Sequence, residues 1–140
     1  MSSIDSKENI TRFVKNKGGI LSTLKMLEKG IISDINIRDS SDYDITALMH
    51  QAAYGTVESV ESLLAHKPPA LVNLQNRDGF TTLHYAVYSG LPAKVRLLLD
   101  YGADKTIGNN GGLTALEYAR EYNCTECIKV LESYTPKPRG

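Results

Sequence analysis

The sequence predicts an all-α fold, a solenoid of stacked helix-turn-helix units, and three observations predict it. The first is a period. Thr81, Leu83 and Ala86 recur 33 residues on as Thr114, Leu116 and Ala119, and Thr46, Leu48 and Gly55 keep the spacing of Thr81, Leu83 and Gly90 at a shift of 35. Self-similarity of this length marks one supersecondary unit used repeatedly. The second is a start and a stop signal in each copy. A Thr hydroxyl at a helix start accepts from an unpaired amide of the first turn, and Gly or Asn at the end takes the left-handed conformation that closes a helix. The third is an apolar stripe at helical spacing downstream of each stop: Val60, Leu63 and Leu64, then Val95, Leu98 and Leu99, then Ile128 and Leu131. One such unit cannot cover its own stripe, so neighbours must stack on it.

Taken in chain order, residues 5–30 lack the Thr-x-Leu pattern. They still carry two helical stripes, Ile10, Phe13 and Val14, then Leu21, Leu24 and Leu27 after a Gly18-Gly19 break, and read as a degenerate first unit. Residues 31–45 form an enlarged acidic link. Thr46, Thr81 and Thr114 each open a first helix of about two turns, which stops at Gly55, Gly90 and Asn123. Thr114-Ala115-Leu116-Glu117 is a capping box, with the Glu117 carboxylate reaching back to the Thr114 amide, and His84 holds the equivalent place in the copy before. Lys67-Pro68-Pro69-Ala70 forces the second helix of its unit to end. The tail YTPKPRG lies past the last helix and is expected to fray.

These residues resemble the ankyrin repeat. TTLHYA at 81–86, followed by VRLLLDYGADKT at 95–106, is similar to that family's 33-residue unit and its T-P-L-H-x-A signature. DINIRD at 34–39 and LVNLQNRDG at 71–79 resemble the turn joining successive units, with Asn36 and Asn73 in the usual Asn position and Thr106 replacing it in the next copy. Ala47, Thr82 and Ala115 stand where the family has Pro, which removes a preset helical φ from each start. The resemblance implies an ankyrin-repeat solenoid whose units are joined by β-turn or hairpin-like loops. We expect one domain over 1–140, with units at 5–38, 39–75, 76–108 and 109–135, terminal units as caps, and a flexible tail at 136–140.

Composition excludes several classes. Sixteen basic and sixteen acidic side chains cancel, so the chain lacks the positive field that nucleic acid or an anionic membrane requires. MSSIDSKENI has no apolar run of signal-peptide length, and no segment approaches the roughly 18 apolar residues of a membrane span. Two cysteines, close in sequence, fit a reducing compartment, so a cytoplasmic or nuclear setting is expected, and the chain is expected to be a monomer.

Candidate chemistry is sparse. Cys124-Thr125-Glu126-Cys127 has C-x-x-C spacing without the further ligands of a metal site or the strand-to-helix setting of a redox motif. Cys127 aligns with Ser59 and Lys94 at a helix start, where a small filler residue suffices. His50, His66 and His84 fall at unrelated places in the repeat, and Asp39, Asp42 and Asp44 lack the Gly and Glu of a calcium loop. Gly108 to Gly112 precede a helix but no phosphate-binding Lys follows them. No cofactor, no metal and no catalysis are expected.

What remains is surface. The resemblance implies a non-catalytic protein-protein interaction module, an adaptor, scaffold or inhibitor, that meets its partner through turn tips and first helices on the concave face. Carried over residue by residue, the partner-binding set is Asp42, Tyr43 and Ile45; Tyr54; Arg77, Asp78 and Phe80; Tyr88 and Ser89; Asn110 and Leu113; and Glu121 and Tyr122. Tyrosine and arginine are over-represented among residues that dominate binding energy, which makes the chain's eight tyrosines informative. Tyr85 and Tyr118, which match each other inside the first helix, are expected to be partly buried. Residues 31–60 carry Asp34, Asp39, Asp42, Asp44 and Glu58 against Arg38, a net of −4, which points to a partner with a basic patch facing residues 34–44. The alternative function is a structural or targeting module that self-associates or serves as a fragment of a larger assembly.

Overall fold

Each threonine start signal is used as a cap. In the computed structural model, which describes residues 29–30, 34–36, 38, 43–67 and 69–135, Thr46, Thr56, Thr81 and Thr114 all have extended backbone, and their hydroxyls accept from the amides of Met49, Ser59, His84 and Glu117. Three of these caps close as full boxes, with Ser59, His84 and Glu117 reaching back to the cap residue's own amide. They open α1 (Ala47–Tyr54), α2 (Val57–Ala65), α3 (Thr82–Ser89) and α5 (Ala115–Glu121). α4 (Pro92–Asp100) has no side-chain cap and starts instead on Pro92, whose ring presets φ. α6 (Thr125–Ser133) follows Cys124, also without a side-chain cap. Most of the first expected unit, Asp39, Asp42 and residues 136–140 lie outside the described residues.

The stop signals divide into two kinds. Gly90 (φ 74°) and Asn123 (φ 54°) take the left-handed conformation. Gly55 does not: its φ is −92°, in extended space, which corrects the expectation of a left-handed cap there. Room explains the glycine, because a Cβ at this position would lie 2.2 Å from Gln51 Oε1 and 2.6 Å from Ser59 Oγ.

Helices α1, α3 and α5 pack side by side in one layer, and α2, α4 and α6 pack behind them in a second. Leu63, Leu98 and Leu131, one from each outer helix, share a single interior with Leu48 and Leu83 of the inner layer. No strand forms among the described residues, so the architecture is an all-α repeat solenoid. Cys127, Ser59 and Lys94 occupy one register at the starts of α6, α2 and α4, and all three are buried.

Lys94 exceeds the small-filler expectation. Its ammonium is sealed inside and donates to the Ala52 carbonyl in the last turn of α1 at 3.0 Å. Burial holds its pKa below the usual lysine value. The cation nonetheless supplies a donor to a helix-end carbonyl that has none within its own helix. Lys94→Met keeps the stem and removes that donor, and it is expected to cost about 1–2 kcal/mol in denaturant unfolding. A variant as stable as the parent would show that the desolvation penalty cancels the bond.

The turns are stitched to one another. Asn36 Oδ1 accepts from the Leu71 amide and Asn73 Oδ1 from the Asp104 amide, both at 2.8 Å, so the asparagines read from sequence fasten each turn to the next. Thr106, in the third copy, turns back instead and donates its amide and hydroxyl to the Asp104 carboxylate. At the tips, the Arg77 amide donates to the Tyr43 carbonyl and the Asn110 amide to the Asp78 carbonyl. Gln75 and Thr81 form an isolated antiparallel bridge across the second tip, which gives that loop its hairpin character.

Gly79 sits where two tips meet. Its φ is +84°, and a Cβ there would lie 2.6 Å from the backbone nitrogen of Asn110. Gly90 has a similar φ with open space around it. Gly79→Ala is therefore expected to destabilise by about 2–3 kcal/mol, from left-handed strain plus overlap, and Gly90→Ala by about 1 kcal/mol from strain alone. Equal losses in thermal melts would remove the inter-tip contact from this account.

Candidate functional site

Tyrosine spacing along the inner helices and the tips assembles one aromatic surface. Tyr54 ends α1 and Tyr88 lies in the last turn of α3, and the two rings meet edge-on at 6.1 Å. Phe80, just before the α3 cap, stands edge-on to Tyr118 of α5 at 5.5 Å and to His84 at 5.4 Å. Tyr118 continues to Tyr122, with centroids 4.7 Å apart. Tyr54, Phe80, His84, Tyr88 and Tyr118, together with Tyr43 and Asp78 of the tips, line a cavity of about 290 Å³.

Polar groups at the cavity floor are largely committed to the fold. Asn76 Nδ2 donates to the Tyr85 hydroxyl at 2.8 Å, while its Oδ1 accepts from the amides of Asp78 and Phe80. His84 is buried, and its Nδ1 accepts from the Thr81 amide at 3.1 Å. Nδ1 is thus unprotonated, and Nε2–H donates to the Leu113 carbonyl at 2.9 Å, tying α3 to the next turn. Burial lowers the His84 pKa, opposed by that bond to Leu113. Burial, then the neighbouring Tyr122 hydroxyl, raises the Tyr118 phenol.

Asp78 differs from its neighbours. No described side chain donates to its carboxylate, whereas Asp44 on the adjoining tip is held by Arg77 at 3.4 Å. Tyr43 and Asp44 both have positive φ, 54° and 62°. A tip with two left-handed non-glycine residues carries about 1–3 kcal/mol of strain at each, a cost found mostly at functional sites.

The residues expected from sequence separate into three groups. Tyr43, Tyr54, Tyr88 and Tyr122 are 58%, 68%, 53% and 60% exposed, and Asp78 and Glu121 are exposed as well. Phe80 is half-buried and lines the cavity. Others serve the scaffold. Ser89 donates to the Ala86 carbonyl and accepts from the Leu91 amide; Arg77 grips Asp44; Asn110 Nδ2 reaches the Arg77 carbonyl; and the Leu113 carbonyl receives His84.

Ile45 is a correction. It is only 5% exposed, and an apolar residue just before an N-cap turns toward the helix it precedes and away from solvent. Ala53, at a concave-face position on α1, is likewise buried. Asp42 lies outside the described residues. Of the acidic link, Asp34 accepts from the Asn36 amide and Asp44 is paired, so these two carboxylates are already engaged within the chain.

Sequence reasoning missed Tyr85, Tyr118, Asn76 and His84 as cavity residues. Tyr85 and Tyr118 are half-buried, as expected, yet each lines the cavity. Their 33-residue recurrence was the available signal. Cys127 is buried, and burial, then the Cys124 thiol beside it, pushes its pKa up to about 12, far from the thiolate a redox or metal role needs.

A family model for ankyrin repeats in many copies matches residues 63–119, which span α3 and α4 and reach into α5. The chain belongs to the ankyrin repeat family. The ankyrin repeat protein FPV031 of fowlpox virus (strain NVSL) is 34% identical over 111 residues, 78% of this chain and 31% of that protein. Human SH3 and multiple ankyrin repeat domains protein 2 is 35% identical over 106 residues, 76% of this chain and 6% of its own length. The human NAD-capped RNA hydrolase NUDT12 is 34% identical over 85 residues, 60% of this chain and 18% of that protein. The ankyrin chain thus spans under a third of the length of each of these relatives. Ankyrin repeats are in general protein-protein interaction modules, and the family is in general non-catalytic.

Proposed function

We propose that this chain is a monomeric, non-catalytic adaptor that holds a partner protein against its concave face. The observation that carries the reading is the cavity itself, walled by tyrosines of two successive units that remain more than half exposed, Tyr54 and Tyr88. Tyrosine provides a large rigid contact area with one polar end, which is why such residues dominate binding energy at interfaces. The two free thiols suit a cytoplasmic or nuclear setting.

Tyr54→Ala combined with Tyr88→Ala tests the proposal. Both side chains are more than half exposed, so helicity is expected to be unchanged and stability to stay within about 0.5 kcal/mol of the parent. Proteins recovered by the parent in affinity purification with mass spectrometry are expected to be lost to the double variant, at about 2 kcal/mol or more for each ring at the centre of the contact. Recovery of the same proteins by both chains would overturn the proposal.

A further inference from the structure

The cavity combines aromatic rings with one carboxylate that has no donor among the described residues. Six tyrosine and phenylalanine rings, those of Tyr43, Tyr54, Phe80, Tyr85, Tyr88 and Tyr118, contribute to its lining. Among the described residues Asp78 is the single acidic group of the lining, and no described side chain donates to its carboxylate. The other polar groups there are engaged with one another or with backbone, as Asn76 is with Tyr85 and His84 is with Thr81 and Leu113.

This combination selects for a cation. Ring faces are electronegative and attract a positive charge placed within about 6 Å of the centroid. An apolar occupant would strip water from the Asp78 carboxylate without replacing it, and an acidic occupant would be repelled. The charge of the surrounding sequence agrees, with a net of −4 over residues 31–60. Size then limits the occupant: about 290 Å³ lies at the lower edge of ligand cavities and suits one inserted side chain.

Between the two basic side chains, the geometry favours arginine. A guanidinium is planar and weakly hydrated, stacks on rings, and presents a fork that matches a carboxylate. An ammonium is a compact and strongly hydrated point charge. We infer that the cavity seats one arginine side chain of the partner protein, its plane stacked on the tyrosines and its fork on Asp78. This assignment rests on the concave face being the binding surface. The strained backbone at Tyr43 fits the same reading, since it holds a ring at the cavity lip at a cost to folding.

The test is a titration of the full chain, with labelled tyrosine rings followed by NMR, using the blocked pentapeptide Gly-Gly-Arg-Gly-Gly. Matched peptides carry lysine or citrulline at the centre. The arginine peptide is expected to shift the rings of Tyr54, Tyr88 and Tyr118 saturably, at about millimolar affinity for so small a contact. Citrulline keeps the shape and loses the charge, so it is expected to bind at least about tenfold more weakly, as is arginine to the folded Asp78→Asn variant. Lysine is expected to bind several-fold more weakly than arginine.

Equal binding of arginine and citrulline, or the absence of ring shifts, would overturn the inference, and lysine binding as tightly as arginine would overturn the choice of side chain. If the arginine peptide fails while partner recovery still depends on Tyr54 and Tyr88, this inference alone falls. If recovery is indifferent to those rings, the adaptor reading falls as well.

Discussion

His84→Leu is expected to lower stability by about 2–4 kcal/mol near neutral pH and to remove an acid-sensitive part of what remains. The imidazole makes two bonds that belong to different units, accepting from the Thr81 amide at Nδ1 and donating to the Leu113 carbonyl from Nε2. Leucine can make neither bond, so a buried amide and a half-buried carbonyl lose their partners together. The pH dependence follows from the depressed pKa. In the unfolded chain the ring takes up a proton near pH 6.5, whereas burial delays this in the folded chain. Between the two values the unfolded state holds more protons, so stability rises with pH through that window. The contribution is complete above about pH 6.5 and is lost as pH falls below it, until the folded ring itself protonates and Nδ1 can no longer accept from Thr81. Urea unfolding of parent and variant at about pH 7.5 and pH 5 checks this, and the gap between them is expected to narrow at the lower pH. A gap that widens would contradict the assigned tautomer.

Leu98→Ala is expected to cost about 3–4 kcal/mol. Leu98 is fully buried at the middle of the outer layer, between α2 on one side and α6 on the other. Truncation removes a buried side chain and leaves a cavity that rigid helices on both flanks cannot collapse. Because each unit is stabilised by its neighbours, loss at the central unit weakens two interfaces at once. Leu91→Ala provides the control: Leu91 is 47% exposed, and its loss is expected to stay within about 0.5 kcal/mol. Guanidinium unfolding of both variants measures the contrast. Similar midpoints for the two would mean that the helix layers do not share one interior.

The caps, the helix pairs and the family were readable because they depend on local chemistry repeated at a fixed interval. A Thr hydroxyl finds the amide three residues on whatever surrounds it, as Thr46, Thr81 and Thr114 all show. Gly55 was misread because glycine serves two purposes, permitting positive φ and making room, and the second depends on where Gln51 and Ser59 point. Lys94 was unreadable for a related reason. Its register matched Ser59 and Cys127, and nothing local announces that an ammonium will be sealed against a carbonyl 42 residues away.

The binding face shows the same division. The sequence placed tyrosines at helix ends and tips, but Ile45 carried the same positional label and is buried, while the Ser89 hydroxyl and the Leu113 carbonyl also bond within the scaffold. By itself, the order of residues determined the repeat, the helix boundaries and the apolar stripes, since each follows from contacts within a turn or two of chain. Only the stacked structure decided that Tyr54, Tyr88 and Tyr118 open onto one cavity and that Asp78 meets no donor there among the described residues. Those are relations between units, set by how neighbouring helices and tips lie against one another, and no spacing along the chain encodes them.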